Sequence, residues 1–161
     1  MSTPRLTDLA EKAYNGSEYI AYDYTASPDF DIASPKQIMI TTGASTKCTM
    51  TIKVKALTAS VIQFNKAVVL GTGGSMSAGT TITPYGRDMA DTTTPATTFK
   101  KDYVLGNTGQ NAGTTILTEY SLPGIETVIK VKLAANTKYG LINTSVADNN
   151  GATYVFEFDE A

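Results

Sequence analysis

The chain has 161 residues, 42% of them hydrophobic, and its 13 basic and 15 acidic residues leave a formal charge of −2. This length suits a single domain, large enough to bury roughly 70% of the surface that its unfolded chain exposes. The nearly balanced charge lacks the basic stripe that neutralises phosphates, and no stretch approaches the roughly 20 apolar residues of a membrane span, so neither nucleic acid nor membrane is an expected partner.

Thr occupies 26 positions, and charged residues make up only 17% of the chain. Thr is β-branched and stiff at χ1, and it suits the wet face of a sheet. Composition therefore leans toward strands. Met1-Ser-Thr-Pro-Arg5 lacks the apolar run of a signal peptide, which predicts synthesis in a cytosol.

Residues 1–35 differ in character from residues 36–161, and the boundary is set there between an N-terminal arm and a β-sandwich domain. Thr3-Pro4 can cap and start a helix, Leu6, Leu9, Ala10 and Ala13 follow helical spacing, and Asn15-Gly16 stops it. An aromatic-rich extended stretch follows, ending at Ser27-Pro28, with a second break at Ser34-Pro35. Tyr14, Tyr19, Tyr22, Tyr24 and Phe30 all fall in this arm, and such a concentration needs a partner, either this chain's own core or a neighbour's.

Beyond Pro35 the strand signals dominate. Residues 37–42 read as a short strand, and residues 48–57 alternate cleanly, with Cys48, Met50, Ile52, Val54 and Ala56 inward. Residues 61–64 and 67–70 are short apolar runs. Residues 71–113 hold long Gly-, Thr- and Pro-rich loops around one further strand near Phe99, and loops of that length often carry function. Strands are predicted at 115–122 and 126–133, the second with Ile129, Val131 and Leu133 inward, separated by the turn dipeptide Pro123-Gly124. A strand from Lys138, a turn at Asp148–Gly151 and a last strand with Tyr154, Phe156 and Phe158 inward complete the chain. Eight or nine strands with no βαβ rhythm predict an all-β, jelly-roll-like sandwich with a short N-terminal helix and an extended arm.

Chemistry has little to work with. There is no histidine, which removes every Ser-His-Asp and Cys-His arrangement, and the single Cys48 permits neither an intrachain disulfide nor a cysteine zinc site. Gly71-Thr-Gly-Gly-Ser lacks the Lys and the helix of a phosphate loop, and Asp148-Asn-Asn-Gly lacks the spacing of a calcium loop. Glu119, Glu126, Glu157 and Asp159 are placed at outward strand positions, and Trp, which often lines sugar sites, is absent. The expectation is a non-enzymatic protein with no catalytic residue, cofactor or metal. Lys53/Lys55 and Lys130/Lys132 read as solvated sheet faces. Arg87, between Gly86 and Asp88, reads either as a loop ion pair with Asp88 or Asp91 or as an intersubunit contact.

The order of segments over residues 60–161 resembles a group of small tailed-phage virion proteins that decorate or cement the capsid shell. The resemblance rests on Gly79-Thr-Thr-Ile-Thr-Pro84-Tyr-Gly-Arg87, on Gly113-Thr-Thr-Ile-Leu before Leu122-Pro-Gly124, and on Leu133-Ala-Ala-Asn136-Thr-Lys-Tyr139 before a final aromatic strand ending in Glu. It implies a structural role on the capsid exterior, with the major capsid protein as partner and a homo-oligomer, a trimer preferred and a dimer possible. Tyr14, Tyr19, Tyr22, Tyr24, Phe30 and Arg87 are the candidate partner-binding residues. The alternative functions are a receptor- or carbohydrate-binding module of a tail fibre, and a tail or neck component.

Overall fold

Alternation of apolar and polar residues gives a strand one dry face, which it must bury against another sheet. In the computed structural model, which describes residues 18–30, 35–69, 79–87, 93–101 and 112–160, eleven strands do this and no helix is present among the described residues. They are β1 (Glu18–Phe30), β2 (Lys36–Thr41), β3 (Cys48–Ala56), β4 (Ser60–Lys66), β5 (Thr80–Ile82), β6 (Tyr85–Gly86), β7 (Thr98–Lys101), β8 (Thr114–Ser121), β9 (Glu126–Leu133), β10 (Lys138–Ser145) and β11 (Asn150–Glu160). One sheet has the order β6-β1-β11-β3-β9 and the other β5-β7-β2-β10-β4-β8. Every pairing is antiparallel, and the sheets pack as a β-sandwich. The predicted N-terminal helix lies outside the described residues.

The core follows the predicted parities. Cys48, Met50, Ile52, Val54 and Ala56 of β3 are all buried, as are Tyr154, Phe156 and Phe158 of β11. Phe99 reaches across from β7 to Phe156 and Phe158, with ring centroids 5.0 and 5.3 Å away. Tyr19 of β1 stacks on Phe158 at 5.4 Å, and Phe64 of β4 stacks on Tyr139 of β10 at 5.6 Å. Such pairs add about 0.5–1.5 kcal/mol each beyond their buried area. The extended stretch assigned to the arm is thus a strand of the sandwich from Glu18 onward, because β11 offers it a complete hydrogen-bonding edge.

Turns hold the strands in register. Ile125 donates its N–H to the Leu122 carbonyl at 3.2 Å, and Gly124 takes φ 69°, the conformation a type II turn requires at its third position. Thr42 pins the turn at residues 134–137: its hydroxyl donates to the Ala134 carbonyl at 2.7 Å and accepts from the Thr137 N–H at 3.0 Å. Ala67 adopts φ 60° just beyond the end of β4. One boundary needs correction. Asn150, expected in the turn at 148–151, begins β11 fully buried, accepts the Thr58 N–H at 3.0 Å and donates to Ser145 Oγ at 3.1 Å.

Burial pushes the Cys48 thiol up to about 12, with Glu160 and Asp159 adding to the shift and Thr97 opposing it. The raised value favours the folded chain fully below its ordinary pKa of 9.0, and that contribution is lost as pH climbs toward about 12. Near neutral pH the folded protein should leave Cys48 unmodified by a thiol-specific chromophoric reagent, and guanidinium should expose it to full modification. Prompt labelling of the folded chain would contradict this burial. Phe156→Ala should lower the unfolding free energy by about 3–5 kcal/mol in a denaturant titration.

Candidate functional site

On one side of the sandwich the chain passes from β5, in one sheet, to β6, in the other, alongside β1. The pairing of Ile20 with Tyr85 puts Tyr85 on the outward face, and the period of two adds Tyr22 and Tyr24 to it. All three tyrosines are well exposed, at 65% for Tyr22, 63% for Tyr24 and 55% for Tyr85. With Thr81, Thr83 and Lys101 they line a cleft of about 340 Å³, at the small end of the range for ligand sites.

A buried charge cluster stands behind this cleft. Asp23 lies on the inward parity of β1 and is 6% exposed. Lys101 of β7 donates to its Oδ1 at 2.5 Å, and Lys36 of β2 holds its ammonium 3.6 Å from Oδ2. Both lysines belong to the opposite sheet, so the three side chains tie the sheets together at this edge. A carboxylate this deep in the fold needs such partners, since its desolvation would otherwise be prohibitive. Lys101, the more exposed of the two lysines, brings its ammonium to the cleft.

Arg87 closes a second network, on the outer face of the five-stranded sheet. Its guanidinium lies 3.6 Å from Glu18 and 3.4 Å from Glu157, and Glu157 also accepts from Lys53 at 3.0 Å. The Arg87 N–H donates to the Glu18 carbonyl at 2.9 Å. Arg87 therefore ties β6 and β1 to β11, and Asp88 and Asp91, its other expected partners, lie outside the described residues.

The opposite side of the sandwich is open. Among the described residues β8 pairs only with β4, and β9 only with β3, so each leaves a free edge there. Ile116, Tyr120, Leu122, Ile125 and Val128 are about half exposed along these two edges and the turn that joins them. The register shift opposite Phe64 and Asn65 leaves Ile116 unpaired in a bulge, and Glu119 is also exposed on this strand. A bulge and a charge both discourage open-ended strand addition. The apolar side chains, rather than the backbone edge, are what this side offers a partner.

The sequence-predicted contact residues divide. Tyr19 and Phe30 are buried in this chain's own core, 3% and 1% exposed, which removes them from any partner surface. Tyr22 and Tyr24 point outward into the cleft, and Tyr14 lies outside the described residues. The sequence reading missed Asp23, Lys36 and Lys101, although Asp23 shares the parity of Tyr19 and Ala21, which signals an inward charge. Among the described residues no helix is long and apolar enough to cross a membrane. No known protein family, curated protein or solved structure matches the chain.

Asp23→Ala removes the buried carboxylate that Lys36 and Lys101 share and should cost about 3–5 kcal/mol of stability. Arg87→Ala breaks partly exposed ion pairs and should cost no more than about 1 kcal/mol. Thermal and denaturant unfolding of the two variants check this order, and equal losses would contradict the assignment of Asp23 as the structural charge.

Proposed function

We propose that the chain is a structural protein of a tailed-phage virion that decorates or cements the capsid exterior, binding the major capsid protein and neighbouring copies of itself. Its role on this reading is contact, not catalysis. The observation that carries the proposal is the open side formed by β8, β9 and their turn, where apolar side chains stand exposed at two free edges. Exposed apolar side chains grouped at one end of the sandwich are what a protein partner can bury.

The strand order supports the same reading. With β5, β6 and β7 set aside, the eight longer strands pair first with last (β1 with β11), then β2 with β10, β3 with β9 and β4 with β8. That is a long hairpin rolled into two sheets, and we read it as a jelly roll. Jelly rolls serve viral capsids and lectins alike, so the fold supports a virion role without selecting it alone. The segment resemblance supplies the shell as partner and a trimer as the preferred oligomer. The Tyr-lined cleft favours a second reading, a receptor- or carbohydrate-binding module of a tail fibre.

Co-sedimentation of the purified protein with isolated capsid shells tests the proposal. Wild-type protein should pellet with shells, and the double variant Ile125→Asp/Val128→Asp should bind at least about tenfold more weakly, as expected for buried interface anchors. Removal of residues 1–17, which spares β1, measures what the N-terminal segment adds. Wild-type protein that stays in the supernatant, or a double variant that binds undiminished, would overturn this reading.

A further inference from the structure

The cleft beside β1 lies on the edge of the sandwich opposite the open side, since β6 and β9 bound one sheet and β5 and β8 the other. A partner on the β8/β9 side would leave it free. Its chemistry is also different. Tyr22 and Tyr24 rise from alternate positions of one strand, roughly 7 Å apart along it, and Tyr85 stands on the neighbouring strand. Each ring gives a flat apolar face with a hydroxyl at its end, suited to a ligand that is apolar on one face and polar around its rim. Thr81 and Thr83 also line the cleft, and among the described residues Ile82 is the sole aliphatic side chain in the lining. Such a wall fits a hydroxylated ring better than a greasy one.

Charge narrows the class further. Among the described residues, Lys101 and Asp23 are the charged ones lining the cleft. Asp23 is buried and already engaged by two lysines, so it offers a ligand little negative charge. An ammonium carries three donors, and Asp23 accepts one from Lys101 among the described residues. Lys101 is also the more exposed member of its pair and lines the cleft. The cleft therefore combines stacking faces, hydroxyls and one cationic donor held in place from behind by a carboxylate.

We propose that this cleft binds an acidic pyranose, a sugar ring bearing a carboxylate, with Tyr22, Tyr24 and Tyr85 packing on the ring and Lys101 pairing with the carboxylate. The inference stands on the cleft alone and does not depend on how the opposite edge is used. Asp23 is a positioning residue here, fixing the Lys101 ammonium and not touching the sugar.

A printed glycan array carrying uronic-acid and sialic-acid sugars beside their neutral counterparts, probed with the full chain, tests this directly. Saturable binding confined to acidic sugars is expected, weakening as salt is raised. For the strongest acidic sugar, calorimetry should show Tyr22→Ala and Tyr85→Ala each binding about tenfold more weakly, and Lys101→Gln losing the preference for acidic over neutral sugar. Tyr22 and Tyr85 are exposed, so these two variants should fold as the wild type does, which circular dichroism verifies. The Ile125→Asp/Val128→Asp variant should bind sugar normally, so failure at the shell and failure at the cleft are separately visible. No saturable binding to any acidic sugar, equal binding of neutral sugars, or undiminished binding by both tyrosine variants would overturn the proposal.

Discussion

β11 hydrogen-bonds to β3 along Ala152–Glu160 and, over nearly the same residues, to β1 on its other side. In a strand with period two, a slip of one residue would turn Tyr154, Phe156 and Phe158 to the outside and bring Thr153, Val155 and Glu157 in. The burial of three aromatics therefore locks the register of three strands together. Phe99 then brings the second sheet onto the same cluster through its contacts with Phe156 and Phe158. The outer-face charges depend on this registry too, since only it puts Glu157 within reach of both Lys53 and Arg87.

Once these strands are fixed, the two sides of the sandwich acquire different characters. Along β1 the chain crosses between sheets, and the buried Asp23, Lys36 and Lys101 tie that edge together at the cost of desolvating three charges. Along β8 and β9 the turn at residues 122–125 also crosses between sheets, but there apolar side chains stay in water. The first side is polar and concave, suited to a small hydroxylated ligand. The second is apolar and guarded against strand addition by the Ile116 bulge and Glu119, suited to side-chain contact with another protein.

Much of the fold was legible because alternation is a local signal. β3, β9 and β11 could be read with their inward residues, as could the turn at Pro123-Gly124. Parity also held information about the tyrosines that was not used: Tyr19 is out of phase with Tyr22 and Tyr24, so one face could not hold all three. Phe30 escapes that rule, because a register irregularity between Thr25 and Phe30 returns it to the core. Periodicity cannot say which strands end at an edge, and so the open side and the cleft were invisible in the sequence. Nor can it foresee that Asp23 meets a lysine 78 residues away, a pairing set by topology alone.

On the proposed function, the chain acts by sitting on a capsid. Electron cryomicroscopy of intact virions, with the protein labelled and compared with particles lacking it, measures this most directly. The account predicts extra density at symmetric positions on the outer surface of the capsid, into which the sandwich fits with its β8/β9 side against neighbouring protein. Density confined to the tail or neck, or none in the particle at all, would contradict it.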